Sequence, residues 1–539
     1  MGINSDRIKK TLSLIVASVT LLCASILPAN AEVLVRAGRD VIDDLNIVRA
    51  LRQEEVQPYL DMHEGLVTNN RDGRIIPGIA TGWVISHDGL TTTFTLRDDA
   101  RWSDGLPIVA EDFVHSLHQR LIYNKSGGIQ AARVIQNIAG VSDYLSGKTS
   151  TLDAIGLVAK DDHTLEMRLE NRDFYLVPNL LTLMLPAHPQ WRWSDKDDHL
   201  QPIPTSGAYY PVDIKPGKYL RLVRNPYYYG AKNVNIEEVA FVNHTQYEGN
   251  LYADIMNEHV HIVRRPQYGM LDWFEENHPE FVKASALQSF TYLDFNFRRP
   301  EIAKHDIRKA IELAIDRESI SSILNANRYS RMERWYPSGP DPLPPTKFRF
   351  STIPYQERLK LARALMEKHG YTAEHPLTII MRSSNELAER SLSHALVGMW
   401  QQIGIRILHH DSESDHDFYL NYVIKGDFDI AIVGWAGETP DLSYYINFVH
   451  SDPNVSGAYN YGAYSNPALD QALDSARSAP TMAERTQNLL RAETILLTDI
   501  GCIPLYNNLS NFIAHPNVSG LGKGRYGIFL SRFLRIDRG

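Results

Sequence analysis

The sequence predicts an α/β protein whose first half is richer in strands than its second, and three features predict it. The first half is dominated by alternating runs bounded by turn residues. Ala80–Ile85 and Thr91–Leu96, for example, flank His87-Asp88-Gly89, and an Asp-Gly turn between such runs is a strong hairpin signal. From about residue 306 onward, helical-period segments alternate with short apolar runs, the pattern of α/β units. The third feature is Phe428, Ile430, Ala431, Ile432 and Val433, an apolar run of the kind buried on both faces of a sheet. It is expected to break at Gly434, with Trp435 and Ala436 following at once and the carboxylates Glu438 and Asp441 close behind. A strand ending in Gly-Trp and an acidic loop puts an aromatic surface and negative charge at the carboxyl end of a sheet, where open α/β sheets take ligands. The alternative is a strand stop with a core tryptophan.

The 539 residues suffice for about three domains. The chain opens with a basic stretch (Arg7, Lys9, Lys10), a nearly uninterrupted apolar run from Leu12 to Leu27, and Ala29-Asn30-Ala31. That is the anatomy of a cleavable secretory signal over residues 1–31. No other run is apolar and long enough to span a bilayer, so the mature chain is expected to be exported and soluble. Export removes Cys23 and leaves Cys502 alone in an apolar context, so no internal disulfide can form and the core must hold the fold. It also removes a segment of net charge +2, taking the formal −9 to −11. An acidic chain without a basic stripe is a poor candidate for nucleic acid or an anionic membrane.

The elements follow in order. Glu32–Ala37 alternates like a strand, and the 80–96 meander leads through Trp102-Ser103-Asp104-Gly105 to a helix from Ala110 to about Arg120. Thr164–Leu169, Tyr219–Arg224, Val239–Val242 and Ser289–Asn296 read as further strands. Asp306 is expected to cap a helix with Ile307, Ala310, Ile311 and Ala314 on one face. Tyr355–His369 is a helix stopped at Gly370; then come a strand (Leu377–Met381), a helix (Leu387–Ile403) and a strand (Gly404–Leu408). Asn466-Pro467 signals a capped helix start. Thr486–Leu497 is a helix and Cys502–Asn508 a strand. There is no internal repeat.

Four segments resemble the family 5 extracytoplasmic solute-binding proteins, the dipeptide- and oligopeptide-binding components of ABC importers. They are Glu64-Gly65-Leu66 with Pro77–Trp83 and Thr93–Pro107; Thr205–Tyr209 with Arg224–Tyr228; Asn296 with Ile307–Arg317; and Asp427–Trp435 with Pro504-Leu505-Tyr506. They run through the mature chain in the family's order. The resemblance implies a two-lobed periplasmic-binding-protein fold of the cluster C type, with mixed sheets in each lobe and an extra inserted β-rich domain. Lobe 1 would be discontinuous (32–63, 188–288 and 504–539), 64–187 the insertion and 289–503 the α/β lobe 2, with crossings near Ser289–Asn296 and Cys502–Asn508.

The resemblance further implies a ligand held through the main chain of Val433, Gly434, Trp435 and Ala436, in the manner of strand addition to a sheet edge, with Tyr506 nearby. The family's aspartate three residues after the tryptophan is Glu438 here, one methylene longer with the same charge, so it is the expected partner of a ligand α-ammonium, with Asp441 as the second candidate. The arginines that oligopeptide binders often set before Gly-Trp are replaced by Val423 and Ile432. A ligand carboxylate would need another cation, such as Arg49, Arg52 or Arg382. The implied partners are a peptide or peptide-like ligand and the permease and ATPase subunits of an inner-membrane ABC importer. The protein would be a periplasmic monomer without cofactor or metal. Two other readings are open to this sequence. One is a non-peptide ligand (nickel complex, haem, or a sugar- or opine-like solute), for which His409-His410-Asp411 through Asp417 supplies metal-ligand residue types without a tight spacing. The other is a secreted hydrolase, for which no nucleophile or zinc motif appears. Gly520–Gly524 lacks the strand-to-helix context of a phosphate loop and reads as a turn.

Overall fold

The structure, a computed structural model, describes residues 33–38, 45, 56–125, 133–191, 203–247, 249–264, 266, 268–324, 329–332, 334–337, 352–384, 387–411, 418–436, 441–457, 459–522 and 528–537. The expected signal at 1–31 lies outside them, as do Arg49, Arg52 and Glu438.

Strand β1 (Val33–Gly38) is followed by a small-sheet unit: β2 (Val67–Asn69), β3 (Ile75–Pro77), β4 (Ala80–Ile85), β5 (Thr91–Leu96), β6 (Leu157–Asp161) and β7 (Thr164–Arg168). Its four-stranded sheet has the order β4-β5-β7-β6. It encloses its own core, which includes Phe94, Trp102, Phe113, Leu165 and Met167, all completely buried. The helix Ala110–Lys125 packs on it and runs longer than the sequence suggests. The meander lies where its Asp-Gly turn predicts, with Gly89 at φ +73°.

The chain then returns to the sheet of β1 with β8 (Tyr209–Lys215), β9 (Tyr219–Arg224), β10 (Glu238–Asn243) and β11 (Ile262–Arg264). Next come β12 (Val282–Phe295), β13 (Tyr329–Arg331), β14 (Leu377–Ser383), β15 (Ile405–Asp411), β16 (Ile430–Ala436) and β17 (Cys502–Ala514), and finally β18 (Val518–Ser519) and β19 (Arg535–Ile536). The two sheets expected for the two lobes are hydrogen-bonded into one of eleven strands, in the order β15-β14-β16-β12-β17-β11-β1-β10-β9-β8 with β13 beside β17. The long strands β12 and β17 make the join. At one end Val282–Ala286 pairs with Leu509–Ile513, next to β11; at the other Phe290–Asp294 pairs with Cys502–Asn507, next to β16. An irregularity between Ala286 and Phe290 separates the two halves.

Alternation along the strands gives each half two packed faces. In β16, Ile430 and Ile432 enter one cluster with Leu293, Ile379 and Trp400. Ala431 and Val433 enter another with Phe290, Trp335, Tyr445 and Phe448. Around β1 and β11, Leu34 and Ile262 face one cluster and Ala37 and Val263 the other. Helices Tyr355–Lys368, Leu387–Gln401, Pro467–Arg477 and Met482–Asp499 cover the β12–β17 half. Asn466 caps Pro467–Arg477 as expected, its side chain accepting from the amides of Ala468 and Leu469.

Two local expectations need correction. Asp306 is not a cap: the helix begins at His305 after Lys304. Its carboxylate instead meets Lys368 Nζ at 2.7 Å and the His369 ring Nε2 at 3.1 Å, partners from far along the chain that take the place of a local amide. Nor does β16 break at Gly434. The ladder with β12 continues through Thr291↔Gly434, Phe290↔Trp435 and Ser289↔Ala436, because glycine here needs no unusual backbone angle.

Candidate ligand-binding site

Among the described residues, the carboxyl end of β16 is laddered to a named strand on the β12 side alone. Along β12 it is paired over its whole length. On the other side β14 pairs with it at Met381↔Ile430 and Arg382↔Ala431 alone. Among the described residues, no named strand runs beside Ile432–Ala436 on that side. This is the geometry a ligand in extended conformation can extend by main-chain hydrogen bonds. Among the described residues, a Cβ built on Gly434 would meet nothing within 4 Å.

Trp435 stands on the same face as Ala431 and Val433. Its half-buried ring lies 4.4 Å from Phe448, 5.3 Å from Tyr459 and 5.7 Å from Tyr444. Its indole N–H donates to the Tyr444 carbonyl at 3.2 Å. Tyr444 and Tyr459 remain 42% and 48% exposed, so the tryptophan is the floor of an aromatic surface that opens to solvent. Sequence reasoning missed these two tyrosines, since nothing in their spacing separates them from other loop aromatics.

Asp441 is buried. Both its oxygens accept from Arg485 Nη2 at 2.6 Å, and it caps the turn Leu442–Tyr445 by accepting from the Ser443 amide at 2.9 Å. Arg485 comes from the helix Met482–Asp499 and also donates to Ser443 Oγ at 2.9 Å. Asp441 thus anchors the turn that carries Tyr444. The residues expected to meet a ligand amine are therefore divided: Asp441 holds a guanidinium, and Glu438 lies in the undescribed segment 437–440 between β16 and that turn.

Tyr506 is not brought together with Trp435. It is buried in the cluster on the opposite face of the sheet, its ring 4.8 Å from that of Tyr329. The register shift between Thr291 and Tyr292 in the β12–β17 ladder is the kind of irregularity that local alternation cannot anticipate. Arg382 sits toward the other end of β16, donating to Asp427 O at 3.0 Å and Asp427 Oδ2 at 2.8 Å and stacking on Tyr422. Val423 and Ile432 are completely buried. The histidine- and acid-rich segment yields β15 up to Asp411. Its residues 412–417 are undescribed, and no metal-binding cluster occurs among the described residues. Cys502 is buried, and burial raises its thiol pKa well above the ordinary value.

The segments that carry the family resemblance build joints between distant parts of the chain. Ser103 and Thr205 exchange two bonds, Ser103 N to Thr205 O at 2.9 Å and Thr205 N to Ser103 Oγ at 3.0 Å. Arg97 lies 3.2 Å above the Tyr229 ring. Buried Glu64 accepts from Tyr228 Oη at 2.8 Å, from Tyr229 and from Arg532. Gly207 lets two segments meet, because a Cβ there would lie 2.6 Å from the Met62 carbonyl carbon. Asn296 donates to the carbonyls of Gly426 and Phe428, each at 2.9 Å, and so aligns the entry to β16.

The family model for bacterial extracellular solute-binding proteins, family 5 Middle, matches residues 74–457. The periplasmic oligopeptide-binding protein OppA of Escherichia coli (strain K12) is 25% identical over 515 residues, covering 92% of this chain and 91% of its own. The probable deoxycholate-binding periplasmic protein YgiS of the same organism is 26% identical over 478 residues, covering 86% of each. Among solved structures, the unliganded open form of the periplasmic murein tripeptide-binding protein MppA superposes with a TM-score of 0.77 at 23% identity, covering 94% of this chain and 98% of its own. The architecture is that of the two-lobed periplasmic binding proteins. The match to the family model spans well over half of the chain, and the chain belongs to the bacterial extracellular solute-binding proteins of family 5.

Proposed function

We propose that this protein is the exported solute-capturing component of an ABC importer, and that it holds a short peptide or peptide-like solute between two closing lobes. The observation that carries the reading is the carboxyl end of β16, where pairing with β14 stops at Ala431 and Trp435 begins an aromatic surface. A peptide buried there needs its amides and carbonyls paired, since each one left unpaired costs about 1–3 kcal/mol. Of the main chain of Val433, Gly434, Trp435 and Ala436, the alternate residues whose N–H and C=O point away from β12 would supply pairing without regard to the ligand's side chains. Glu438 is the proposed partner of the ligand's α-ammonium. Relatives named as periplasmic oligopeptide- and murein peptide-binding proteins support the peptide assignment.

Residues 1–31 act as a signal peptide in this reading and the mature protein works in the periplasm as a monomer. Residues 32–63, 188–288 and 504–539 form one lobe with 64–187 inserted, and 289–503 form the other. The hinge lies where β12 and β17 change neighbours, at the irregularity between Ala286 and Phe290. Closure presents the loaded form to the permease.

A second reading, a non-peptide solute, is favoured by one observation. Val423 and Ile432 put fully buried aliphatic side chains at the positions where the family resemblance implies a carboxylate-binding cation, and the similar protein YgiS is named for a non-peptide solute, deoxycholate. Native mass spectrometry of the mature protein, purified from a bacterial periplasm without refolding, decides. A set of co-purified masses matching short peptides is the expected outcome; a single non-peptide mass would replace the ligand, and the peptide reading would fall.

A further inference from the structure

The small-sheet unit meets the second lobe at a joint that continues into the candidate site. Arg172 is oriented by the turn of the β4–β5 hairpin, its Nε donating to Asp88 O at 3.0 Å and its Nη2 to His87 O at 2.8 Å. Its Nη1 then donates to Pro480 O at 2.6 Å, in the loop before the helix Met482–Asp499. Three residues on, the Tyr175 ring lies 5.9 Å from the Arg485 guanidinium. Asp173, between them, has its carboxyl pushed up to about 6 by burial; Asp441 adds to the shift, while the Tyr175 amide and Arg485 oppose it. The geometry of the joint is the Tyr175 ring beside the Arg485–Asp441 pair, with the Arg172–Pro480 carbonyl contact next to it. On the site side, Arg485 grips Asp441, Asp441 caps the turn Leu442–Tyr445, and the Tyr444 carbonyl in that turn holds the Trp435 indole.

We propose that Arg485 is a positioning residue that couples docking of the Arg172–Tyr175 segment to the shape of the ligand site, so that lobe docking and ordering of the Trp435 surface occur as one event. Removing one member of a buried ion pair leaves the other uncompensated, so the Asp441 turn has a strong preference for the arrangement in which Arg485 is held in place. Coupling of this kind is reciprocal: if docking favours the binding shape by some factor, ligand favours docking by the same factor. The inference rests on the reading of Trp435 as part of a ligand site between lobes, and its test is separable from that reading.

The test uses the full mature chain as Arg172→Ala, Arg485→Ala, Arg485→Lys and the Arg172→Ala/Arg485→Ala pair, with a random tripeptide-to-pentapeptide library as probe. The ligand-independent readout is amide hydrogen exchange. In Arg172→Ala, amides of 441–449 should exchange at least threefold faster than in wild type, although the changed residue lies in the other unit. Loosening of the hairpin alone would move exchange only near residues 86–91. Unchanged exchange at 441–449 overturns the coupling. The library gives the second readout: Arg172→Ala should release retained peptides about three- to tenfold faster and Arg485→Ala faster still. Arg485→Lys should fall between Arg485→Ala and wild type, and the double variant should fall short of the product of the singles. A double variant equal to that product overturns the proposal. If wild type binds no peptide, the peptide assignment fails and the exchange result alone decides the coupling.

Discussion

Replacing Trp435 by alanine separates the two readings of the Gly-Trp strand end, because the structure gives the ring both a packing role and an open face. Complete burial of a tryptophan makes its truncation cost about 3–5 kcal/mol. Trp435 is half-buried, with ring contacts to Phe448, Tyr459 and Tyr444 and one indole hydrogen bond, so roughly 2 kcal/mol of stability should be lost. In a chain of this size that lowers Tm by only about 2–4 °C, and the variant should purify folded. Binding should suffer more: an aromatic anchor in a closed interface is worth about 2 kcal/mol or more on truncation, or roughly thirtyfold in Kd. Urea unfolding of the ligand-free variant measures the first quantity, and calorimetric titration with a peptide that co-purifies with wild type measures the second. Trp435→Phe is the control. It keeps the ring against Phe448 and loses the bond to the Tyr444 carbonyl, a net loss of about 1 kcal/mol. An alanine variant that loses about 2 kcal/mol of stability yet binds within twofold of wild type would make Trp435 a core residue and refute the site.

Three further outcomes are expected. Glu438→Gln and N-acetylation of the peptide should each weaken binding by about tenfold, yet together cost little more than either alone, since both remove the same ion pair; fully additive losses would place the ammonium elsewhere. Arg532→Met leaves Glu64 buried without its cation and should cost about 3–5 kcal/mol in denaturant unfolding, with Glu64→Gln restoring part of it. No recovery in the double variant would show that the loss comes from packing against Tyr228 and Phe533 instead. Finally, burial raises the Asp294 carboxyl to about 7, opposed by hydrogen bonds from the Phe295 and Gly462 amides and the Cys502 thiol and by the charge of Arg298. A folded-state value above the unfolded one means that its contribution is complete below about pH 4 and is lost as pH rises through about 7. Asp294→Asn should therefore raise Tm relative to wild type more at pH 8 than at pH 5, and an equal difference at both would contradict the assignment.

What could be read from the sequence follows from how local each signal is. The β4–β5 hairpin appears at its expected residues because Asp88-Gly89 fixes register within a few residues, and Asn466 caps its helix because its side chain reaches only two and three residues on. Asp306 carries the same kind of cap signal, but Lys368 and His369, some sixty positions away, take it. Gly434 looks like a strand stop in isolation, yet its place opposite Thr291 depends on a partner strand more than a hundred residues earlier. Tyr506 is misplaced by a register shift that only the folded ladder reveals. The Arg172–Pro480 bond and the Arg485–Asp441 pair join segments 308 and 44 residues apart and leave no trace in spacing.

The blocks that make the family legible are largely scaffold, and this bears on what the ligand must be. Glu64, Arg97, Ser103, Thr205 and Tyr228 lock the small-sheet unit to the β1 sheet, Arg97 by way of the Tyr229 ring, and Asn296 aligns β16. None of these supplies a cation to the carboxyl end of β16. Ile432 faces the core with Ile430, Val423 lies with Phe428 and Tyr445, and Arg382 is held by Asp427. None of these described residues offers a ligand carboxylate near that strand end an ion pair, and giving up hydration without one is a net penalty of several kcal/mol. The consequence is specific: peptide amides should bind within about threefold of the corresponding free acids, since the carboxyl end either reaches solvent or is absent. Parallel titrations of one peptide as acid and amide give the answer. A hundredfold preference for the acid would refute the argument and direct attention to Arg49 and Arg52 as the missing cations.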